Sequence, residues 1–77
     1  MGRSTALVVS WLIKRSFSLA GHRTSVALEA EFWEALGRLA AVQSRSLAAL
    51  ISEIDADRSP DHPLASSLRV HALLAGR

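Results

Sequence analysis

Arg23-Thr24-Ser25-Val26-Ala27-Leu28-Glu29 is the stretch of this 77-residue chain that decides its fold. Polar and apolar residues alternate along it, as in a β-strand with one buried face. The alternation divides the stretch into two faces, an apolar one with Thr24, Val26 and Leu28 and a polar one with Arg23, Ser25 and Ala27. A lone strand leaves both edges unpaired. The stretch therefore predicts pairing with a second copy of itself, in an intertwined dimer whose polar face is free.

Length and composition point the same way. A chain of 77 residues forms one small domain and buries little core by itself. It has no cysteine, which excludes disulfides and thiolate metal sites. Oligomerisation is then the remaining means of stabilising so small a domain. The three histidines are too dispersed to show the spacing of metal ligands, so neither a metal nor another cofactor is expected.

Charge is unevenly distributed along the chain. Residues 1–28 carry no acid, and their cations are Arg3, Lys14, Arg15 and Arg23. Residues 29–77 carry five Arg against seven Asp or Glu. A basic first third before an acidic remainder predicts that the strand region meets a polyanion.

Residues 6–13, Ala6-Leu7-Val8-Val9-Ser10-Trp11-Leu12-Ile13, form the one strongly apolar run. Eight residues are too few to span a membrane, and the Lys14 and Arg15 that follow argue against a signal peptide. We interpret residues 1–13 as an apolar N-terminal extension, either a short element packed on the dimer or a poorly specified tail. Residues 14–77 are then the domain, and a cytoplasmic protein with no membrane partner is expected.

Residues 14–19 also alternate, with Phe17 and Leu19 on one side. They end at Ala20-Gly21-His22, where Gly21 can adopt a positive φ, so the sequence predicts a hairpin with an additional N-terminal strand.

Three helices are predicted after the strand. The first covers residues 30–43, with the apolar stripe Phe32, Leu36, Leu39 and Ala40 and with Trp33 beside it, as a core residue or as a contact with the partner subunit. The second begins after an N-cap at Ser46 and buries Leu47, Leu50, Ile51 and Ile54. Pro60 and Pro63 separate it from a third, over about residues 64–74. This third helix has Leu64, Leu68, Ala72 and Ala75 on one side, Val70, Leu73 and Leu74 on another, and a packed or interfacial His71.

The order strand, helix, short turn, capped helix resembles the small bacterial ribbon-helix-helix domain proteins of the Arc/MetJ-like superfamily. The similarity covers roughly residues 14–75. It is carried by Lys14-Arg15-Ser16, by Ala20-Gly21-His22-Arg23-Thr24-Ser25-Val26, by Leu28-Glu29, by Glu31-Phe32-Trp33, by Ser46-Leu47-Ala48-Ala49-Leu50-Ile51 with Glu53-Ile54-Asp55, and by Ser66-Ser67-Leu68-Arg69-Val70. Two residues depart from the family. Ser44 stands where a helix-ending Gly is usual, and Ala27 replaces a residue that is commonly polar.

The resemblance implies an α+β ribbon-helix-helix fold, with a third C-terminal helix, in an obligate homodimer whose chains share one helical core. It implies a transcriptional regulator, not an enzyme, whose two-stranded ribbon enters the major groove of double-stranded DNA. Arg23 would then contact guanine, Ser25 would be a short polar reader, and Ala27 would share their face. Ser46 would bind a phosphate at the start of its helix. The expected DNA-backbone contacts are Lys14, Arg15 and Arg45.

Two alternatives stay open at this point. If residues 15–19 pair with the strand, the dimer has four strands, which at about 4.8 Å spacing are wider than a groove of about 12 Å. Either the first segment then folds away along the DNA backbone, or the sheet stays out of the groove and the domain binds something else. The rival function is a protein-interaction module, antitoxin-like or an adaptor, in which the ribbon only forms the homodimer or a higher even oligomer and another protein docks elsewhere.

Overall fold

The computed structural model describes residues 11–76, which form a β-hairpin followed by three helices. The elements in chain order are β1 (Leu12–Leu19), β2 (His22–Glu29), α1 (Ala30–Val42), α2 (Leu47–Asp57) and α3 (Leu64–Ala75). This is the predicted α+β order with the N-terminal strand and the third helix both present. Residues 1–10, which include most of the apolar run, lie outside the described residues. None of the helices within residues 11–76 is both long and apolar enough to cross a bilayer.

The hairpin is built on a two-residue turn. Ala20 and Gly21 have φ values of 51° and 82°, and two consecutive positive φ values are characteristic of the type I′ turn that matches the twist of paired strands. β1 and β2 run antiparallel in continuous register from Leu19 opposite His22 to Leu12 opposite Glu29. The hairpin predicted from the Gly21 signal is therefore confirmed.

The partner of β2 corrects one expectation. Within the described chain β2 pairs with β1 of its own molecule, so a second copy is not its only available partner. The same pairing rules out, for this chain, the alternative in which the first segment folds away from the sheet. One edge of β2 is thus occupied, and its other edge has no strand beside it among residues 11–76.

The helices cover one face of the hairpin, and a single chain closes its own core. β2 places Val26 and Leu28 in this core and leaves Arg23 and Ser25 exposed, as the alternation predicts. The buried residues are Leu19, Val26, Leu28, Trp33, Leu36, Ala40, Leu50, Ile51, Ile54, Leu64, Leu68 and Ala72. A helical core shared between two chains is therefore not required to bury these side chains.

The sequence left two positions open for each of two side chains. Trp33 takes the core position in its own chain, where it is 4% exposed and its indole N–H donates to the carbonyl oxygen of Ile13 at 2.7 Å. His71 is exposed on α3, with Nδ1 3.1 Å from the carbonyl oxygen of Ser67, so it is not packed within its own chain. The helical stripes were predicted correctly, and tertiary packing sets the surroundings of the residues beside them.

The turn between α1 and α2 has a residue in the left-handed region. Ser44 has a φ of 57°, and its N–H donates to the carbonyl of Ala41, while Arg45 N–H reaches back to Ala40. These two bonds make a Schellman C-cap, in which Gly is the usual residue at the left-handed position. Two residues later Ser46 begins α2, and its Oγ accepts from the Ala49 N–H at 3.0 Å. The cap predicted at Ser46 is confirmed.

Candidate nucleic-acid interface

The face of the hairpin that points away from the helices is small, polar and basic. In an antiparallel pair, directly opposed residues share a face, so the register sets its composition. Across the two strands Lys14 lies opposite Ala27, Ser16 opposite Ser25, and Ser18 opposite Arg23. We call these six residues the outward face. All are exposed except Ala27, which is half-buried, and none is acidic.

Two serines of the outward face were missed by sequence reasoning. Ser16 and Ser18 stand on β1, and the Oγ of Ser16 lies 2.8 Å from the Oγ of Ser25 across the strands. The signal was present, because a two-residue turn at Ala20-Gly21 fixes which residues oppose each other. Between Lys14 and Arg23 the outward face carries only the short side chains of serines and Ala27, and the three serine hydroxyls can form hydrogen bonds there.

The two cations of the outward face are not ion-paired within the part of the chain that the structure describes. Neither Lys14 nor Arg23 takes part in an ion pair between residues 11 and 76. Three helical or loop arginines are neutralised by neighbouring carboxylates, in the pairs Arg45–Glu53, Arg58–Asp55 and Arg69–Glu29. No neighbouring carboxylate therefore neutralises Lys14 and Arg23, and the outward face carries a positive potential.

A family model described as a ribbon-helix-helix domain matches residues 12–75. The chain belongs to the ribbon-helix-helix family. The match begins at the start of β1 and ends with α3, so the hairpin and all three helices lie within the ribbon-helix-helix region. Dimerisation and DNA binding are general properties of regulators in this family. No significant match to this chain was found among curated proteins or among solved structures.

Four of the seven expected site residues of this ribbon-helix-helix domain share one surface. Lys14, Arg23, Ser25 and Ala27 all belong to the outward face. Arg15 does not, because it opposes Val26 on the helix-facing side, where its guanidinium carbon lies 5.4 Å from the centroid of the Trp33 ring. Its side chain is exposed at the rim of the sheet, stacked on an aromatic face that holds it there.

The remaining two expected residues lie at the turn before α2. Ser46 uses its Oγ as an acceptor for the helix cap, which leaves its O–H and the first N–H groups of α2 as donors. Arg45 is ion-paired with Glu53, and its Nε is buried without a hydrogen-bond partner. This guanidinium is thus committed to the α1–α2 turn. The ribbon-helix-helix domain has no group of three or more His, Asp or Glu within residues 11–76 that could hold a metal ion.

One carboxylate at the end of the hairpin has a perturbed pKa. A hydrogen bond from its own backbone N–H lowers the pKa of Glu29, partial burial opposes that effect, and the Arg69 guanidinium lowers the pKa further. Glu29 lies opposite Leu12, at the far end of the sheet from the turn. It therefore stays ionised and paired with Arg69 of α3, two register positions beyond Lys14 and Ala27 on the same side of the sheet.

The hydrogen-bonding edge of β2 follows from the same turn. Leu19 and His22 flank a two-residue loop and exchange hydrogen bonds, and such pairs alternate with non-hydrogen-bonded ones along an antiparallel ladder. The N–H and C=O groups of Arg23, Ser25 and Ala27 consequently point away from β1. This edge is available to another strand, and its three residues also carry side chains of the outward face.

Proposed function

We propose that this ribbon-helix-helix protein is a dimeric regulator that binds double-stranded DNA through the outward face. The observation that carries the proposal is the composition of that face, whose three alternate cross-strand pairs supply three hydroxyls, one methyl group and two unpaired cations, with no carboxylate among the six residues. Such a regulator would act in the bacterial cytoplasm, where its DNA is.

The dimer would form at the free edge of β2. Two antiparallel copies of this edge would exchange the backbone groups of Arg23, Ser25 and Ala27, giving a four-stranded sheet with the order β1, β2, β2, β1. The two inner strands then carry Arg23 and Ser25 from each chain. The outer strands carry Lys14.

This four-stranded sheet changes how DNA is approached. Its outer strand axes are roughly 14 Å apart at a spacing of about 4.8 Å, which exceeds a major groove of about 12 Å. We therefore expect the sheet to lie across the mouth of the groove instead of entering it as a two-stranded ribbon. Arg23, the longest side chain of the inner strands, would reach the base edges, and Lys14 on the outer strands would stand over the phosphate ridges. Ser46, at the positive end of α2, would add a phosphate contact.

A gel-shift or anisotropy titration at several salt concentrations tests the proposal. Binding should weaken as salt increases, because phosphate contacts release counterions. Replacing Lys14→Ala should reduce the slope of log affinity against log salt by roughly 2 per dimer, since each chain loses one phosphate contact. Arg38→Ala is the matched control. Arg38 is an exposed cation on α1, away from the outward face, and its loss should leave the slope nearly unchanged.

Binding that is indifferent to salt, or that Lys14→Ala and Arg38→Ala affect equally, would contradict the outward face as the DNA surface. Failure of the folded protein to bind a library of random duplexes at low salt would overturn the DNA proposal itself.

A further inference from the structure

Two of the histidines meet at one surface depression beside α3. His62, from the loop before the helix, and His71, on the helix itself, line a depression of about 260 Å³ together with Ser66, Ser67 and Val70. Their spacing along the chain is not that of metal ligands on one element, which is why the sequence predicted no site there. The fold therefore brings together two imidazoles that sequence reasoning did not associate.

The ring of His71 is oriented by the helix backbone. Its Nδ1 lies 3.1 Å from the carbonyl oxygen of Ser67, one turn earlier on α3. A carbonyl oxygen can only accept a hydrogen bond, so this contact places the ring proton on Nδ1 and the lone pair on Nε2. Histidines that bind metals commonly have their other nitrogen held in this way by a backbone carbonyl. His71 thus offers Nε2 as a ligand atom in a fixed tautomer.

The backbone of His62 is held on both sides of its side chain. Its N–H donates to the carbonyl oxygen of Ser59 at 3.0 Å, and its own carbonyl oxygen accepts from Nη1 of Arg58 at 2.8 Å. The charge of Arg58 is balanced by Asp55, whose Oδ1 lies 2.9 Å from Nε. Within residues 11–76 the imidazole of His62 has no hydrogen-bond or ion-pair partner, and it is exposed. This ring can therefore turn toward a ligand while its backbone stays in place.

The two rings approach each other along the helix axis. The hydrogen bond to Ser67 brings the His71 ring back to the level of the fourth residue of α3, about 4.5 Å along the axis from Leu64. His62 comes two residues before Leu64, at the same end of the helix. Ser66 and Ser67 belong to this turn and line the same depression, so they add hydroxyl groups beside the two rings.

We propose that His62 and His71 bind one exchangeable Zn²⁺ ion. Neutral imidazole nitrogens are good zinc ligands, and water occupies the coordination positions that a protein leaves open. Two waters would complete a tetrahedral site, and the serine hydroxyls would form hydrogen bonds to them. A depression of about 260 Å³ has room for the ion and both waters, since a water takes up about 30 Å³. The inference does not depend on DNA binding, because neither histidine belongs to the outward face.

The fold of the described chain does not depend on this ion. Its core is closed by aliphatic side chains and Trp33, and both histidines are exposed. A site with two protein ligands also binds zinc less tightly than a closed structural site with four. Zinc binding can therefore be measured on a chain that is already folded, and the loss of either imidazole should leave the fold unchanged.

Isothermal titration of the full, untagged chain with Zn²⁺ tests the inference. We expect one ion per chain, and His62→Ala and His71→Ala should each weaken binding by at least about tenfold, because each removes one ligand. His22→Ala is the matched control. His22 is an exposed histidine beside the hairpin turn, so its loss should leave the affinity unchanged. Far-UV circular dichroism should be the same for all three variants, since no histidine belongs to the core.

Three results would overturn the zinc site: no binding at millimolar Zn²⁺, an equal loss of affinity in His22→Ala, or an unchanged affinity in either His62→Ala or His71→Ala. Long-range proton–nitrogen correlation spectra of the imidazoles give a second measurement. Without zinc, His71 should be the tautomer protonated on Nδ1, and one equivalent of Zn²⁺ should shift nitrogen signals of His62 and His71 together. A shift confined to one of the two rings would contradict a shared ion.

Discussion

The guanidinium of Arg69 binds one carboxylate oxygen of Glu29 through two nitrogens, Nε and Nη2, each 3.1 Å away. The same guanidinium lies over the ring of Phe32, 5.7 Å from its centroid. Glu29 is the last residue of β2, and Arg69 lies in the middle of α3. This pair joins the end of the hairpin to a helix 40 residues later, which fixes α3 beside β2.

The Glu29–Arg69 pair should make stability depend on pH. The pKa of Glu29 is lowered in the folded protein, so its stabilising effect is complete above the unfolded value of about 4.3 and disappears as pH falls through the lower folded value. Glu29→Gln should therefore be less stable than wild type at pH 7 and equal to it at the acid end. Urea unfolding from pH 7 to pH 2.5 measures the difference. Glu34→Gln, an exposed α1 carboxylate, should show a much smaller pH-dependent difference.

The indole of Trp33 should contribute to stability through its hydrogen bond as well as its packing. Trp33→Phe keeps an aromatic ring near Phe17, 5.9 Å away between centroids, but leaves the Ile13 carbonyl without this donor. We expect a loss of about 1–3 kcal/mol in the free energy of unfolding. Trp11→Phe, at a residue 63% exposed, should change it by less than about 0.5 kcal/mol. Equal effects of the two substitutions, measured by denaturant unfolding, would be inconsistent with a buried role for Trp33.

The left-handed cap at Ser44 should be improvable. A non-glycine residue in this conformation costs about 1–2 kcal/mol relative to the right-handed one, and Gly avoids that cost. Ser44→Gly should therefore raise the free energy of unfolding by about 1 kcal/mol or slightly less, because Gly also increases the entropy of the unfolded chain. Ala41→Gly, in the last turn of α1, should lower it by roughly 0.5–1 kcal/mol. A destabilised Ser44→Gly protein would mean that the serine side chain contributes more than its φ costs.

Arg23 should govern sequence preference more than overall affinity for DNA. A bidentate contact to guanine is worth about 1–3 kcal/mol of discrimination, whereas phosphate contacts are independent of sequence. Once a preferred duplex has been selected, Arg23→Ala should bring its affinity close to that of a scrambled duplex. Arg23→Lys keeps the charge without the planar fork, so it should retain affinity and lose the preference as well. Unchanged selectivity in both variants, by competition binding, would place the reading residues elsewhere.

Local pattern determined the elements of this protein. The alternation of residues 23–29 predicted which side chains of β2 enter the core, and Val26 and Leu28 are buried there. The Ser46 cap and the apolar spacing after it predicted α2, whose observed start is Leu47. Both signals act within a few residues, through strand period, helix period or a capping hydrogen bond, so the sequence carries them in full.

The site was only partly readable in the same way. The alternation placed Arg23 and Ser25 on a free face. The two-residue turn at Gly21 fixes the register of the two strands, and this register places Lys14 and Ser16 on the same face. Neither the alternation nor the turn could show where the side chains of Arg15 and Arg45 would lie. Arg15 lies over Trp33 on the other side of the sheet, and Arg45 forms an ion pair with Glu53. A charge in the sequence does not reveal its own partner, because ion pairs form between residues that only the fold brings together.

By itself, therefore, the sequence determined a strand with one apolar face, three amphipathic helices with their boundaries, and the family to which the chain belongs. Tertiary structure alone decided that Trp33 closes the core of its own chain, and that Arg69 holds α3 beside β2. The physical reason is range. Periodicity and capping depend on neighbours along the chain, whereas the occupant of a strand edge or of a helix flank depends on which distant segments pack there.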